Sequence, residues 1–266
     1  MKLFLKILLI VLWVSLAAGA IVLMSFANQN HDSKNCTGVD VILDYAGSEP
    51  MLTVSDIKQQ LFSSFGKMET HKLMELDLER IQSFIRKNPY VDIANAHTSI
   101  EGKLVIDIRQ CKPVVRIITL DGQNFYLDEN GRLIPANPDY PVRVVVASGN
   151  IEIPQGIGKT IFDKLKKNTD ASEKMQVLFN IQALANRMKY DSVMNALVEQ
   201  IYVRPNGKML LATKAGSHLV EFGDTTDTKE KIDNLKAFYK YGLTKTGWKK
   251  YRLINLTYKN QIVCTK

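Results

Sequence analysis

Asn88-Pro89-Tyr90-Val91-Asp92-Ile93-Ala94-Asn95-Ala96-His97-Thr98-Ser99-Ile100-Glu101-Gly102-Lys103-Leu104-Val105-Ile106-Asp107-Ile108-Arg109 is the stretch that decides the fold. Proline at 89 disfavours helical geometry in Asn88, so a preceding helix must stop there. Beyond it, Ile93–Ile100 and Leu104–Arg109 read as two strands joined at Glu101-Gly102-Lys103, a hairpin. Leu104, Ile106 and Ile108 alternate with Val105, Asp107 and Arg109, which buries one face of the second strand.

Upstream, the pattern changes to a helical period. Leu78, Ile81 and Ile85 share one side of a helix predicted from about Leu76 to Lys87. Before it, Thr53-Val54-Ser55-Asp56 resembles a capping box. Ile57, Leu61 and Phe65 follow on one face, and Gly66 ends the helix. Val39–Asp44 alternates apolar and polar residues, as a strand does. The order from 39 to 112 is therefore strand, helix, helix, strand, strand. Asn28–Gly38 before it is polar and aperiodic, a linker.

Downstream, Pro113 marks a boundary, and residues 113–266 read as a second, β-rich domain. Short strands are predicted at Val114–Thr119, Asn124–Leu127 and Leu133–Ile134, with turns at Asp121-Gly122 and Asn130-Gly131. Val142–Ala147 is a β-branched run that predicts a central buried strand. Glu173–Lys189 reads as a helix with Val177, Ile181, Leu184 and Met188 on one face. Strands follow at Val198–Arg204, Lys208–Thr213 and His218–Phe222, then a helix over Lys229–Tyr241 with Ile232, Leu235 and Phe238 as its stripe. Tyr251–Tyr258 and Gln261–Thr265 are the last two predicted strands, with Ile254, Leu256 and Tyr258 on one face. The fold class is α+β: a strand-helix-helix-strand-strand domain, then a mostly antiparallel β domain with flanking helices.

The N-terminal residues suggest an anchor. Ile7–Ala27 carries no charge and is long enough for a transmembrane helix, with Lys2 and Lys6 before it. The positive-inside rule then places the short tail, residues 1–6, in the cytoplasm and the bulk of the chain outside it. A cleaved signal peptide is the competing reading, because Ala18-Gly19-Ala20 looks like a cleavage site; Ile21-Val22-Leu23-Met24 continues the apolar run past it.

Composition narrows the function classes. The 266 residues hold 35 Lys or Arg and 27 Asp or Glu, a net charge of +8, with 45% apolar and 23% charged residues. Those fractions are ordinary for a globular protein and exclude a wholly disordered chain. The excess charge reads as a solvated basic surface. No basic helix, zinc spacing or aromatic RNA signature accompanies it, so no nucleic-acid partner is expected. Three cysteines, Cys36, Cys111 and Cys264, exclude a disulfide-dense scaffold and read as free thiols.

Candidate chemistry is sparse. Gly158-Lys159-Thr160 invites a phosphate-loop reading, but the glycine needed five residues earlier is Ile153 and Pro154 removes a backbone donor. Asp128-Glu129-Asn130-Gly131 resembles part of a calcium loop but lacks its spacing and final Glu, so a β-turn is expected. Ser217 and His218 are neighbours in a predicted strand and point to opposite faces. The histidines at 31, 71, 97 and 218 have no metal spacing. No catalytic residue, cofactor, metal or small-molecule substrate is expected, and the chain reads as a non-enzyme.

The ordered set of elements resembles the FtsQ/DivIB family of bacterial cell-division proteins. The resemblance is carried by Asn88-Pro89-Tyr90-Val91, the hairpin Ala94–Arg109 and the junction Lys112-Pro113-Val114-Val115. It continues through Phe125–Pro135, Leu219-Val220-Glu221-Phe222-Gly223 with the following helix, Ile254-Asn255-Leu256-Thr257-Tyr258 and Asn260-Gln261-Ile262-Val263. Asn255 and Thr257 stand where relatives usually have Asp and Arg. The resemblance implies a POTRA-like domain at 39–112 and an FtsQ-type β domain at 113–266. It implies a divisome scaffold of the inner membrane at the septum that binds FtsB- and FtsL-like single-span proteins and links early to late division proteins. The partner site it suggests is Tyr258, Lys259, Asn260, Gln261, Ile262 and Val263 on a terminal sheet edge. Tyr258 reads either as an aromatic anchor or as ordinary core beside Ile254 and Leu256. The alternatives are another membrane-anchored POTRA protein of outer-membrane assembly or secretion, and a periplasmic hydrolase.

Overall fold

The computed structural model describes residues 11–20, 35–153 and 172–266. These form two compact units, one of Leu52–Gln110 with the residues up to Asp44, the other of Tyr45–Met51 and Cys111–Lys266.

In the first unit, the strand β1 (Val39–Asp44) leads to helices α1 (Val54–Phe65) and α2 (Leu78–Ile85), then strands β2 (Val91–Thr98) and β3 (Leu104–Gln110). The sheet order is β1-β3-β2, with β1 parallel and β2 antiparallel to β3. Helix α1 begins where the capping box is complete. Asp56 N–H donates to Thr53 Oγ1 at 3.2 Å, and Thr53 N–H donates to the Asp56 carboxylate at 2.8 Å. It ends at Gly66, whose φ of 75° belongs to the left-handed region. Helix α2 starts at Leu78 rather than Leu76, because Asp77 caps it by accepting from Arg80 N–H at 2.9 Å. Ile57 and Leu61 of α1 and Ile81 and Ile85 of α2 meet Leu104, Ile106 and Ile108 of β3 in one core. Phe65 and Phe84 close that core edge to face at 5.3 Å.

The polar approach to β1 is packed as well. Asn35 bridges to Lys72, Cys36 N–H donates to His71 O at 2.9 Å, and Thr37 N–H donates to Gly102 O at 2.8 Å. Cys36 is buried.

The second unit holds one nine-stranded sheet in the order β12-β11-β10-β9-β8-β7-β4-β5-β6. Its strands are β4 (Pro113–Ile118), β5 (Asn124–Asp128), β6 (Leu133–Pro135), β7 (Val145–Gly149), β8 (Val198–Val203), β9 (Met209–Thr213), β10 (Leu219–Gly223), β11 (Leu253–Asn255) and β12 (Val263–Thr265). Pairing is mostly antiparallel, but β7 runs parallel to both β4 and β8, and β10 parallel to β11. Helices α3 (Ser172–Lys189) and α4 (Ser192–Leu197) lie in the crossover from β7 to β8, as parallel neighbours require. Strand β7 starts three residues later than the β-branched run, because Val142 N–H is taken by the Tyr126 hydroxyl at 2.9 Å. Leu178, Ile181, Leu184 and Met188 of α3 pack on Val115, Ile117, Ile201 and Leu211 of the sheet.

The Asp128–Gly131 motif is a hairpin turn between β5 and β6. Gly131 has φ 73°, and the buried Asp128 Oδ1 accepts from Asn130 N–H at 2.9 Å and Arg132 N–H at 2.7 Å. The carboxylate serves the turn, as a β-turn reading requires.

The expected transmembrane span at the N-terminus does not stand. Residues 11–20 of the Ile7–Ala27 run are described, as a helix. Among the described residues no helix is long and apolar enough to cross a membrane. Residues 7–10 and 21–27, the linker residues 28–34 and Gly158-Lys159-Thr160 lie outside the described residues.

Candidate partner-binding edge

Strand β12 ends the nine-stranded sheet. Its inner side pairs antiparallel with β11, matching Leu253 with Thr265, Ile254 with Cys264 and Asn255 with Val263. Its outer side has no strand beside it among the described residues. Ile262 and Cys264 pack toward the core, while Val263 is 40% exposed. The period-2 alternation leaves an outward row of small side chains and a line of backbone groups at the sheet edge.

The connection from β11 to β12 turns at Asn260, whose φ of 59° lies in the left-handed region that asparagine tolerates. This shortens the expected Tyr251–Tyr258 strand to Leu253–Asn255. Asn255 itself ends it, because its Oδ1 accepts from Thr257 N–H at 2.8 Å and Thr257 Oγ1–H at 2.7 Å. Ile254 and Leu256 are buried as expected, but Tyr258 lies beyond the strand and is 51% exposed. The core reading of Tyr258 is therefore excluded.

The six residues singled out from the sequence occupy three settings. Tyr258 and Lys259 line an open groove with Lys208, Asp224, Asp227 and Glu230. Asn260, Gln261 and Ile262 line another with Asn234, Phe238 and Tyr241. Val263 alone belongs to the edge strand.

Several residues near this end of the sheet were invisible to periodicity. Helix α5 (Thr228–Ala237) continues as a π-helical turn over Phe238–Leu243, which rolls Tyr241 outward to 60% exposure. Gly242 makes that turn possible: a Cβ there would sit 2.6 Å from the Phe238 ring. The same turn buries Tyr239, whose hydroxyl meets His218 Nε2 at 2.5 Å and Thr213 Oγ1 at 3.0 Å. Burial lowers the pKa of His218, opposed by the Trp248 carbonyl, and raises that of Tyr239. His218 thus faces Tyr239 rather than Ser217. The three cysteines are free, and burial pushes the Cys264 thiol up. Among the described residues no cluster of His, Cys, Asp or Glu is placed to hold a metal ion.

A family model described as FtsQ/DivIB, C-terminal related, matches residues 112–265. The chain belongs to the FtsQ/DivIB family. That membership gives it a role in cell division and association with other proteins of the division machinery. FtsQ/DivIB proteins are non-enzymatic and membrane-associated at the bacterial division septum. No curated protein sequence matches the chain.

Proposed function

We propose that this FtsQ/DivIB protein is a non-enzymatic scaffold that captures division partners by strand addition at β12. The observation that carries the reading is the position of β12 as the outermost strand, paired on one side only among the described residues. An incoming segment gains main-chain hydrogen bonds there, and grooves at the strand's end receive its side chains. Tyr258, exposed beside one groove, serves as an aromatic anchor, with Lys259 to Val263 completing the site. FtsB- and FtsL-like proteins are the partners this family membership favours, and the scaffold links early to late division proteins. The strand-helix-helix-strand-strand order of the first unit supports a POTRA-like recruitment role for it.

Successive backbone N–H groups of a strand point to opposite edges. Of Val263 and Cys264, therefore, one donates toward β11 and the other toward the open side. Val263→Pro and Cys264→Pro should differ: one variant keeps its melting temperature and loses an FtsB-like fragment, while the other loosens β12. Binding titrations beside circular-dichroism melts read the two. If both variants bind the fragment as the parent does, the partner contact lies elsewhere.

A further inference from the structure

Charge is distributed unevenly along the chain. Residues 234–266 contain eight Lys or Arg and no Asp or Glu, so the whole excess of +8 resides there. Four of these cations, Lys245, Lys249, Lys250 and Arg252, belong to one connection, Thr244–Arg252, between the π-helical turn and β11. Every residue from Thr244 to Lys250 is exposed, and so is Arg252. Among the described residues none of the four cations has a carboxylate partner.

The connection is a fixed platform. Leu243 is buried at its start, and Gly247 turns the chain with φ 92° while its N–H donates to Leu243 O at 2.8 Å. At its end the Arg252 backbone is held twice: its N–H donates to Thr265 O at 2.8 Å, and its carbonyl accepts from Leu219 N–H at 2.9 Å. Between these ends Trp248 packs edge to face on the buried Tyr239 ring at 5.5 Å and still leaves 39% of itself exposed. Lys250 Nζ lies over the Tyr251 ring at 5.6 Å, an ammonium set against an aromatic face. The apex thus presents Lys245, Lys249 and Lys250 outward on a support that two sheet hydrogen bonds and one aromatic contact hold in place.

We infer that the Thr244–Arg252 platform rests on a membrane surface, with its ammonium groups among anionic lipid headgroups. The inference does not depend on strand addition at β12. Three of the four cations are lysines, and a lysine ammonium is a compact, hydrated point charge on a flexible stem. Protein interfaces are depleted in lysine and favour the planar fork of arginine, which fixes register on a carboxylate. A headgroup layer offers charge without register, and that is what an array of point charges matches. Uncompensated like charges repel one another in the free protein, and an anionic surface relieves that repulsion. Trp248 and Tyr251 stand beside the lysines, and Trp and Tyr are the side chains enriched where a bilayer meets water. Membrane association of the family puts such headgroups within reach.

The test is lysine footprinting of the full chain on vesicles of phosphatidylcholine alone and of phosphatidylcholine mixed with phosphatidylglycerol. A water-soluble acetylating reagent is added and each lysine is followed by mass spectrometry. Lys245, Lys249 and Lys250 should react severalfold more slowly on the mixed vesicles, and the protection should fade as salt rises. Lys229, exposed on the same unit and paired with Asp233 at 3.1 Å, should react alike on both. Because the readout is local, a separate hold of the chain on the vesicles does not count as support. Lys249→Glu with Lys250→Glu should abolish the protection of Lys245 and leave the melt unchanged, since both side chains are exposed. Equal protection on both vesicles, protection on neither, or protection shared by Lys229 overturns the inference. So does stronger protection by an aspartate-rich peptide or single-stranded DNA in solution than by the mixed vesicles.

Discussion

His218 Nε2 and the Tyr239 hydroxyl lie 2.5 Å apart inside the second unit, and Thr213 Oγ1 lies 3.0 Å from the same hydroxyl. One oxygen thus satisfies groups from the ends of two strands and fastens the π-helical turn to the sheet. Tyr239→Phe keeps the ring and removes the oxygen. Leaving the buried imidazole short of its partner should cost roughly 1–3 kcal/mol, read by urea denaturation.

The pH dependence of the same pair has a definite sign. Burial depresses the folded pKa of His218 below its ordinary 6.5. The unfolded chain therefore binds the proton more readily, and stability falls as pH drops below 6.5 toward the folded value. His218→Gln should flatten that part of the profile. Denaturation midpoints of parent and variant at pH 7.5 and about 5.5 check it.

Gly149 closes β7 with φ 103°, and a Cβ there would lie 2.3 Å from Val203 O on the neighbouring parallel strand. That oxygen also accepts from Asn150 N–H at 2.8 Å, so it is not free to move away. Gly149→Ala combines an unfavourable backbone region with a backbone clash. A loss of about 2–4 kcal/mol is expected by chemical denaturation.

The parts of this structure legible in the sequence are those where local chemistry and packing agree. Thr53, Asp56 and Gly66 bound α1 because capping is decided within a few residues. Leu104, Ile106 and Ile108 declare the buried face of β3 by alternation alone. What escaped depends on partners far along the chain. Gln182 is buried in the apolar face of α3 because its amide donates to Glu129 O at 2.8 Å, a contact no periodicity encodes. The run at Val142 loses its first residues to the Tyr126 hydroxyl. At the candidate site, the alternation Ile254, Leu256, Tyr258 predicted a continuous strand, and the asparagine turn at 255 broke it. The π-helical turn that exposes Tyr241 and buries Tyr239 depends on the fit of Gly242 against Phe238, which is a tertiary matter.

Tyr258 tests the site without disturbing the core. It is half exposed and is not a member of the buried cluster around Ile254. Tyr258→Ala should change the melting free energy by less than about 0.5 kcal/mol. If the ring is an anchor, binding of an FtsB-like fragment should weaken by about 2 kcal/mol. A variant that binds normally removes Tyr258 from the site and leaves the edge strand to be judged by the prolines.

The surroundings of Asn255 explain why aspartate would not suit this position in this chain. Its Nδ2 donates to Glu221 Oε2 at 3.0 Å, while Arg204 Nη1 holds Glu221 Oε1 at 2.7 Å. The amide thus ties β11 to β10, and β12 is held to the sheet through β11. Asn255→Asp keeps the oxygen that accepts from Thr257 but exchanges a donor for a second carboxylate. The loss of a hydrogen bond to a charged group should cost about 1–3 kcal/mol at neutral pH, partly offset by Arg204. Repulsion raises the folded pKa of the new pair, so the native state binds the proton more readily than the unfolded chain. Its deficit should therefore shrink as pH falls toward about 4, the ordinary carboxylate range. Asn255→Ala, which removes the donor and adds no charge, should show a deficit that does not shrink. Hydrogen exchange at the β11 and β12 amides, followed against pH in both variants, distinguishes the two. Equal pH dependence would mean that Glu221 is too well screened by Arg204 to sense residue 255.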